Sequence, residues 1–442
     1  MTPPAERARA PLQRVVISAV FFAMLVLSCP FSAYAQSVAR FCQAVLSGND
    51  DVVRELIEKD VPLDTRECFG KMTPLAVTAK YGHAGIAALL LEHGADLNAT
   101  GGGDERTALM EAADSGQLIM VRLLLDRGAD MRAVDSTGRT ALVRALDMPI
   151  GSLVRISDKI RTATMINGRV SIAKLLMEKG ADVNTSDDKE RTALLLAVNN
   201  GLAGITKMLL EHGADVNVVD DAGRTALLAV AGTEQPAGAM ALLDGDVDVP
   251  VVMKKLQTSM ARLLVGKGAA LDAADAEGRT PLILAVKNSN SDLVKLFLDK
   301  GALTNAADNE GVTALHAAII GNQFDTAKLL IGKGADPNIS DNDGRNALHT
   351  AIVTNQPAMV KLLLKVGARV NEADYDGRTP LILAVNSGME DAVKLLLDRG
   401  ADVNAESDYG ETAFALATIK KQKNILKMIF AAAEKKHIYN GN

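Results

Sequence analysis

The sequence predicts an all-α fold built from repeated helix–turn–helix units, and three observations predict it. A short motif of the type Thr-Pro-Leu recurs ten times, and six of the nine intervals between copies are 33 residues. The stretch 379–404, TPLILAVNSGMEDAVKLLLDRGADVN, contains signals for two helices and for the turns that end them. Aromatic residues make up only 3% of the chain and Trp is absent, as expected where thin helices pack through small aliphatic side chains. The first residue of each copy, here called its start residue, is Thr73, Thr107, Thr140, Thr192, Thr225, Thr280, Thr313, Asn346, Thr379 or Thr412.

The two helices of one copy can be derived from its residues. The Thr379 side chain can accept a hydrogen bond from the first free amides of a helix, and Pro380 suits the first helical position. Gly388 is predicted to end this helix, because glycine adopts a left-handed backbone at little cost. A second helix from about Glu390 to Arg399 has a wide apolar stripe. Helices this short are marginal alone, so neighbouring copies are expected to cover that stripe.

At these residues the chain resembles the ankyrin-repeat family, whose unit is a turn and two helices with a T-P-L-H-x-A signature. The segments 313–318 (TALHAA) and 346–351 (NALHTA) match this signature closely, whereas the copies at Thr280 and Thr379 keep the Pro and replace the His by Ile. Residues 37–64 form a degenerate first repeat with the same apolar spacing, which gives about eleven units. The resemblance implies a binding scaffold without catalytic activity.

Two inserts interrupt the array that is predicted over residues 36–436. The interval from Thr140 to Thr192 is 52 residues and that from Thr225 to Thr280 is 55, so inserts are placed at about 147–169 and 232–254, between the first and second helix of their units. The second insert is predicted to lengthen its second helix backwards from Pro250. Residues 437–442 are predicted to be a frayed tail. Both inserts carry apolar side chains, from which one shared lobe is predicted: Ile150, Leu153, Val154, Ile156, Met240, Leu242, Leu243 and Val251.

The first 35 residues predict a secretory signal peptide. Arg7, Arg9 and Arg14 precede an apolar run at 15–27, and Ala33-Tyr34-Ala35 follows as a small-residue cleavage site. Cleavage after Ala35 would place the protein in the periplasm of a bacterium or outside another cell, with only transient membrane contact. Two alternatives stay open, a retained membrane anchor and lipid attachment at Cys29.

Charge and cysteines constrain the exported chain. Removal of residues 1–35 takes away three Arg and one Glu and leaves a net charge of −8, so nucleic acid, which requires a basic face, is not an expected partner. Cys42 and Cys68 remain, in an oxidising compartment. Cys42 aligns with the signature His, which reaches toward the next turn, and Cys68 lies in that turn. A disulfide between them is therefore predicted.

No catalytic residue, cofactor or metal site is predicted. The six histidines do not converge, and five of them occupy repeat positions. Asp244, Asp246 and Asp248 have the spacing of the first residues of a calcium-binding loop. Val249 and Lys255, however, occupy the positions where that loop needs Gly and Glu. An enzyme accessory or a hydrolase with an active lobe built from the inserts is the alternative from another functional class. A structural self-association module is a third.

The turns between repeats are predicted to hold the binding surface, together with the exposed face of the first helices. Stacked turns would form an acidic row with an aromatic end, and the partner is predicted to be another protein. An arginine row beside it could simply neutralise the turn carboxylates: Arg106, Arg139, Arg191, Arg224, Arg279, Arg345 and Arg378. The predicted partner-binding residues are Asp188, Asp221, Glu277, Glu310, Asp343, Tyr375, Asp376, Asp408 and Tyr409.

Overall fold

A computed structural model describes residues 33–148, 159–232 and 249–439. Within them lie 22 helices in eleven consecutive pairs, and no strand; extended pairing is limited to isolated bridges such as Ala307 with Thr313. The predicted all-α repeat fold is confirmed. The described residues divide into two compact units. Unit 1 contains residues 33–147 and 164–182, and unit 2 contains residues 148, 159–163, 183–232 and 249–439.

The first four helix pairs begin with an atypical repeat. Its first helix is longer than those that follow, and a short 3₁₀ turn, Phe69–Lys71, leads into the second pair. The helices are α1 (Ala33–Ser47), α2 (Asp50–Ile57), α3 (Pro74–Tyr81), α4 (Ala84–Glu92), α5 (Ala108–Asp114), α6 (Leu118–Asp126), α7 (Ala141–Leu146) and α8 (Lys159–Glu178).

Unit 2 holds the remaining seven pairs. They are α9 (Ala193–Asn199), α10 (Ala203–Glu211), α11 (Ala226–Gly232), α12 (Val249–Gly266), α13 (Pro281–Lys287), α14 (Ser291–Asp299), α15 (Ala314–Ile320), α16 (Phe324–Gly332), α17 (Ala347–Val353), α18 (Pro357–Lys365), α19 (Pro380–Asn386), α20 (Glu390–Asp398), α21 (Ala413–Ile419) and α22 (Lys423–Tyr439).

Each start residue begins a first helix as its sequence predicts. Thr313 Oγ1 accepts a hydrogen bond from the amide of His316, and the other start residues accept one from the amide at the same position. This satisfies an amide that the helix leaves unpaired. Two residues further on, the signature leucine, for example Leu381, is buried, and within each unit successive first helices pack against one another.

The inserts extend second helices. Helix α8 has 20 residues and α12 has 18, whereas the uninterrupted second helices between Thr73 and Asn404 have nine. The backward extension predicted for the second insert is therefore confirmed, and the first insert does the same from Lys159, which the sequence analysis did not foresee. Val251 lies exposed on α12. The shared lobe stays a prediction, because the other apolar insert residues and Asp244, Asp246 and Asp248 lie outside the described residues.

The two chain ends bear on other predictions. The signal segment up to residue 32 lies outside the described residues, and the predicted cleavage after Ala35 falls in the first turn of α1. None of the helices in the described ranges is both long enough and apolar enough to span a bilayer. At the other end α22 continues through Tyr439 and includes the first three residues of the tail predicted from His437.

Candidate functional site

A buried aspartate organises the backbone of the turn in front of α9. The Asp187 carboxylate accepts hydrogen bonds from the amides of Lys189, at 3.0 Å, and Arg191, at 2.9 Å, and from Arg191 Nε at 2.9 Å. Burial alone would raise the pKa of Asp187, but the hydrogen bonds from Arg191 and Lys189 outweigh it and the pKa is lowered. The charged aspartate therefore fixes both the turn and the arginine beside it.

The same arrangement recurs in six other turns and was not predicted from the sequence. An aspartate five residues before the start residue accepts from the amides two and four residues on, and Ser407 does so in the last repeat. The signal was present in the 33-residue spacing, but neighbouring exposed carboxylates were selected instead. These turn aspartates are Asp135, Asp187, Asp220, Asp275, Asp308, Asp341 and Asp374, of which Asp275 and Asp341 are half-buried and the other five are buried.

The arginine row therefore serves two kinds of carboxylate. Arg191 and Arg224 form their ion pairs with buried turn aspartates, at 2.6 and 2.8 Å. Other arginines reach exposed carboxylates too: Arg279 binds Glu277 at 2.8 Å, Arg345 binds Asp343 at 3.0 Å, and Arg378 binds Asp376. In unit 1, Arg106 binds Asp104 at 2.6 Å and Arg139 binds Asp147 at 3.2 Å.

All nine predicted partner-binding residues lie on the turns of unit 2, and eight of them are exposed, with Asp376 half-buried. Each of them lies one or two residues after the turn aspartate of its own repeat or, in the last repeat, after Ser407. Consecutive turns are joined through their backbones: the Tyr375 amide donates to the Asp343 carbonyl oxygen at 3.0 Å, and the Asp408 amide donates to that of Asp376 at 3.0 Å. Because the backbone is held in this way, the exposed side chains sit on a fixed support.

Two tyrosines form the aromatic end of this row. Tyr375 is 74% exposed and Tyr409 is 71% exposed. Tyr409 Oη donates a hydrogen bond to Asp376 Oδ1 of the preceding turn at 3.2 Å, and this bond to a carboxylate raises the pKa of Tyr409. Arg378 binds the other oxygen of Asp376. The phenol of Tyr409 is therefore oriented by a bond that spans two repeats.

The first-helix face of unit 2 adds apolar side chains to the surface. Ile320 is 59% exposed and Val353 is 52% exposed, each at the last position of its first helix, and Ile419 is exposed at the same position two repeats later. The sequence predicts this face as part of the binding surface but does not single out these residues. Their common position, seven residues after the start residue, would have identified them.

The same face in unit 1 is charged and internally paired. Glu111 and Arg144 are buried there, and Arg144 forms ion pairs with Asp135 and Asp104. Burial raises the pKa of Glu111, whose carboxylate lies 3.5 Å from Arg106 Nη1. These charged groups pair with one another, although Arg106 Nε and Glu111 Oε2 form no hydrogen bond within the described ranges. The described first helices of unit 1 expose Tyr81 at the end of α3 but no aliphatic side chain like Ile320.

The signature histidines serve the fold. His316 Nδ1 accepts a hydrogen bond from the Thr313 amide at 3.3 Å, and its Nε2 lies 3.1 Å from the Arg345 carbonyl oxygen in the next turn. This is the neighbouring-turn contact that the sequence predicts. Burial lowers the pKa of both His316 and His349. Among the described residues, no group of three or more His, Cys, Asp or Glu side chains is placed to hold a metal ion.

The structure joins Cys42 to Cys68 through a disulfide, with the Cα atoms 5.0 Å apart. The bond links α1 to the turn that precedes α3, and it spans 26 residues of sequence. It thereby ties the degenerate first repeat to its neighbour, in the pairing that the sequence predicts.

Stacked pairs of short helices with protruding, hydrogen-bonded turns define a class of repeat proteins that bind through their surface. Models of ankyrin repeats, each covering three copies, match residues 41–135, 160–252, 251–341, 334–407 and 373–439, and the chain belongs to the ankyrin-repeat family. Ankyrin repeats are protein–protein interaction modules.

Among characterised proteins, the chain is similar to the ankyrin repeat and KH domain-containing protein mask-1 of Caenorhabditis elegans. The two are 30% identical over 162 residues, which cover 33% of this chain and 6% of that protein. Because the chain spans so small a part of its relative, this similarity supports the repeat fold and does not identify a partner.

Proposed function

We propose that the protein is a non-catalytic scaffold that binds another protein through the turns and first-helix face of unit 2. The observation that carries this proposal is the combination of exposed acidic and tyrosine side chains with a turn backbone that buried aspartates hold in place. A surface that is ordered before binding loses little conformational entropy on association. Tyrosine is enriched at interfaces because it offers both a large apolar ring and a hydroxyl group.

Affinity capture with matched variants tests this surface. The mature protein, residues 36–442, would be used to capture proteins from its native compartment, with mass spectrometry as the readout. We expect the double variant Tyr375→Ala/Tyr409→Ala to lose partners that the unchanged protein retains, whereas Tyr81→Ala in unit 1 keeps them. An unchanged set of captured proteins in the double variant would contradict the proposed site.

We also propose that the protein works outside the cytoplasm. This proposal is supported by the basic start, the apolar run at 15–27 and the Ala33-Tyr34-Ala35 sequence. Cell fractionation with N-terminal sequencing should find a chain that begins at Gln36 in the exported fraction, and a variant without residues 1–35 should stay in the cytoplasm. A cytoplasmic chain that keeps its first residues would refute export.

A further inference from the structure

Negative charge is concentrated on the turns of unit 2. Seven turn segments together contain fifteen acidic and six basic side chains, a balance of −9, while the whole chain has a net charge of −6. In unit 1 the turn segment 135–139 is neutral and the segment 102–106 has a balance of −1. The acidic character therefore belongs to one surface rather than to the chain as a whole. The seven segments are 187–191, 220–224, 275–279, 308–312, 341–345, 374–378 and 407–411.

Several of these carboxylates lack a cationic neighbour. Asp221, Glu310 and Asp408 are exposed and form no ion pair among the described residues, in contrast to Glu277 and Asp343, which are bound by arginines. The turn of Glu310 differs further, because Val312 stands where most other repeats have the arginine of the row. Negative charge at these turns is left for a partner to balance.

A groove lies at the far end of the first helix that follows the turn of Glu310, where the first and second helices meet. It has a volume of about 380 Å³, and residues of two consecutive repeats line it. The lining residues are the apolar Ile320, Phe324, Pro357, Ala358 and Met359 and the polar Asn322, Thr354, Asn355 and Gln356. Val353 is exposed on the first helix of the second of these repeats. A seven-residue helix is about 10 Å long, so this is the distance from the turns to the groove along a first helix. Lysine and arginine side chains in one ligand can reach the turns while apolar side chains of the same ligand enter the groove.

We propose that the partner presents an extended cationic segment to unit 2. Its Lys or Arg side chains contact Asp221, Glu310 and Asp408, and its apolar side chains enter the groove at Ile320 and Phe324 and contact the exposed Val353. Neighbouring helices pack about 8–10 Å apart, and a segment in the extended polyproline II conformation advances about 3.1 Å per residue with three residues per turn. Every third residue of the segment therefore faces the next repeat. Asp221 and Glu310 lie two repeats apart and Glu310 and Asp408 lie three repeats apart, which predicts basic residues about six and about nine positions apart. The inference rests on the proposed function and specifies the chemistry of the partner.

Selection of peptides from a random library tests this inference without knowledge of the natural partner. Peptides of 16 residues displayed on phage would be selected against the mature full chain, and the winners would be synthesised with a fluorescent label for anisotropy measurements. We expect the selected sequences to carry a net positive charge and apolar residues. Their affinity should fall as NaCl is raised from 50 to 300 mM, because salt screens exposed charges.

Matched variants locate the binding. The triple variant Asp221→Asn/Glu310→Gln/Asp408→Asn should weaken binding at least tenfold. The control Glu211→Gln/Asp299→Asn/Asp398→Asn, which removes three exposed charges from the ends of second helices, should change it less than twofold. Ile320→Ser/Val353→Ser should also weaken binding, whereas Leu303→Ser, at a position that is 60% exposed, should not. Circular dichroism and urea midpoints confirm that each variant folds.

The outcomes separate this inference from the proposed function. Neutral or acidic peptides that lose binding in Tyr375→Ala/Tyr409→Ala would leave the binding surface intact and overturn the cationic partner. Cationic peptides that bind both triple variants equally would overturn the contacts to the turns. If no peptide is enriched, or if the selected peptides ignore every variant of unit 2, both the inference and the proposed function fail.

Discussion

Arg169 Nε donates a hydrogen bond to the carbonyl oxygen of Asp114 at 2.6 Å. Its Nη1 donates to the carbonyl oxygen of Asp147 at 2.9 Å, and its Nη2 binds the Asp114 carboxylate. Asp114 ends α5 and Asp147 follows α7, so one buried guanidinium satisfies carbonyls at the ends of two first helices. The neighbouring Gly168 permits the close approach, since an added Cβ would lie 2.6 Å from the Gly116 carbonyl oxygen. The extension of α8 is thus fixed against the first helices of unit 1.

Replacing this arginine should destabilise unit 1. In Arg169→Met the aliphatic stem remains but two carbonyl oxygens lose a donor and the Asp114 carboxylate is left with Arg106 as its cationic partner, at a cost of about 2–4 kcal/mol. Urea denaturation followed by circular dichroism measures the loss. Arg122→Met, an exposed site on α6, is the control and should change the free energy of unfolding by less than about 0.5 kcal/mol. Equal midpoints for the two variants would show that the Arg169 contacts contribute little.

The disulfide should stabilise the first repeat. Closing a loop that spans 26 residues of sequence restricts the unfolded chain and adds about 3 kcal/mol to the free energy of unfolding. The variant Cys42→Ser/Cys68→Ser should therefore have a lower urea midpoint than the unchanged mature protein. Reduction of the unchanged protein with dithiothreitol should lower its midpoint by a similar amount. The reductant should leave the double variant unaffected, which serves as the control. Two free thiols in denatured mature protein purified without reductant would refute the bond.

The sequence predicts the repeat fold well because its signals are local and recur. The cap at Thr379 and the apolar stripe after Glu390 each depend on residues within one repeat. The 33-residue period shows the same signals again in other copies. What could not be predicted depends on contacts between distant segments. Arg169 was placed in an insert, and its bonds to Asp114 and Asp147 span 55 and 22 residues without a repeating pattern.

The candidate site was predictable in position and less so in detail. Tyr375 and Tyr409 were correctly placed on exposed turns. The inward-facing residues of the same turns, such as Asp374, were not predicted, because composition alone does not show which of two nearby carboxylates faces inward. Asp374 is buried and Asp376 is half-exposed, and the difference arises only when the turn folds around the inner one.

The signature histidines should make stability depend on pH. Burial lowers the pKa of His316 and His349 in the folded chain, so the unfolded chain takes up protons first as the pH falls through the ordinary histidine value of about 6.5. The contribution of the two histidines to the free energy of unfolding is therefore complete above that value and is lost as the pH falls toward their pKa in the folded chain. The urea midpoint of the unchanged protein should decrease between pH 7.5 and pH 5.

The chain provides the matched substitution for this test. Ile283 and Ile382 occupy the signature-histidine position in other repeats. The double variant His316→Ile/His349→Ile should therefore fold, and its urea midpoint should change less between pH 7.5 and pH 5 than that of the unchanged protein. An equal decrease in both proteins would mean that other groups cause the pH dependence.

The turn glycines should be sensitive to added volume as well as to backbone conformation. Gly344 has φ +77°, and a Cβ there would lie 2.7 Å from Tyr375 Cδ1 and 2.8 Å from the Tyr375 amide nitrogen of the next turn. Gly334 also has a positive φ, of +94°, but a Cβ there meets nothing within 4 Å. Gly334→Ala therefore isolates the cost of the left-handed backbone, about 1–2 kcal/mol.

Gly344→Ala should cost more than Gly334→Ala, because the new methyl group must displace the backbone that donates to the Asp343 carbonyl oxygen. We expect a further loss of about 1–3 kcal/mol, the usual cost of forcing extra volume into a packed site. The urea midpoints of the two variants measure the difference. Since the displaced residue is Tyr375, Gly344→Ala should also weaken binding of a partner at the turns, while Gly334→Ala should not. Equal midpoints and equal binding would show that the contact between consecutive turns is loose enough to accept a side chain.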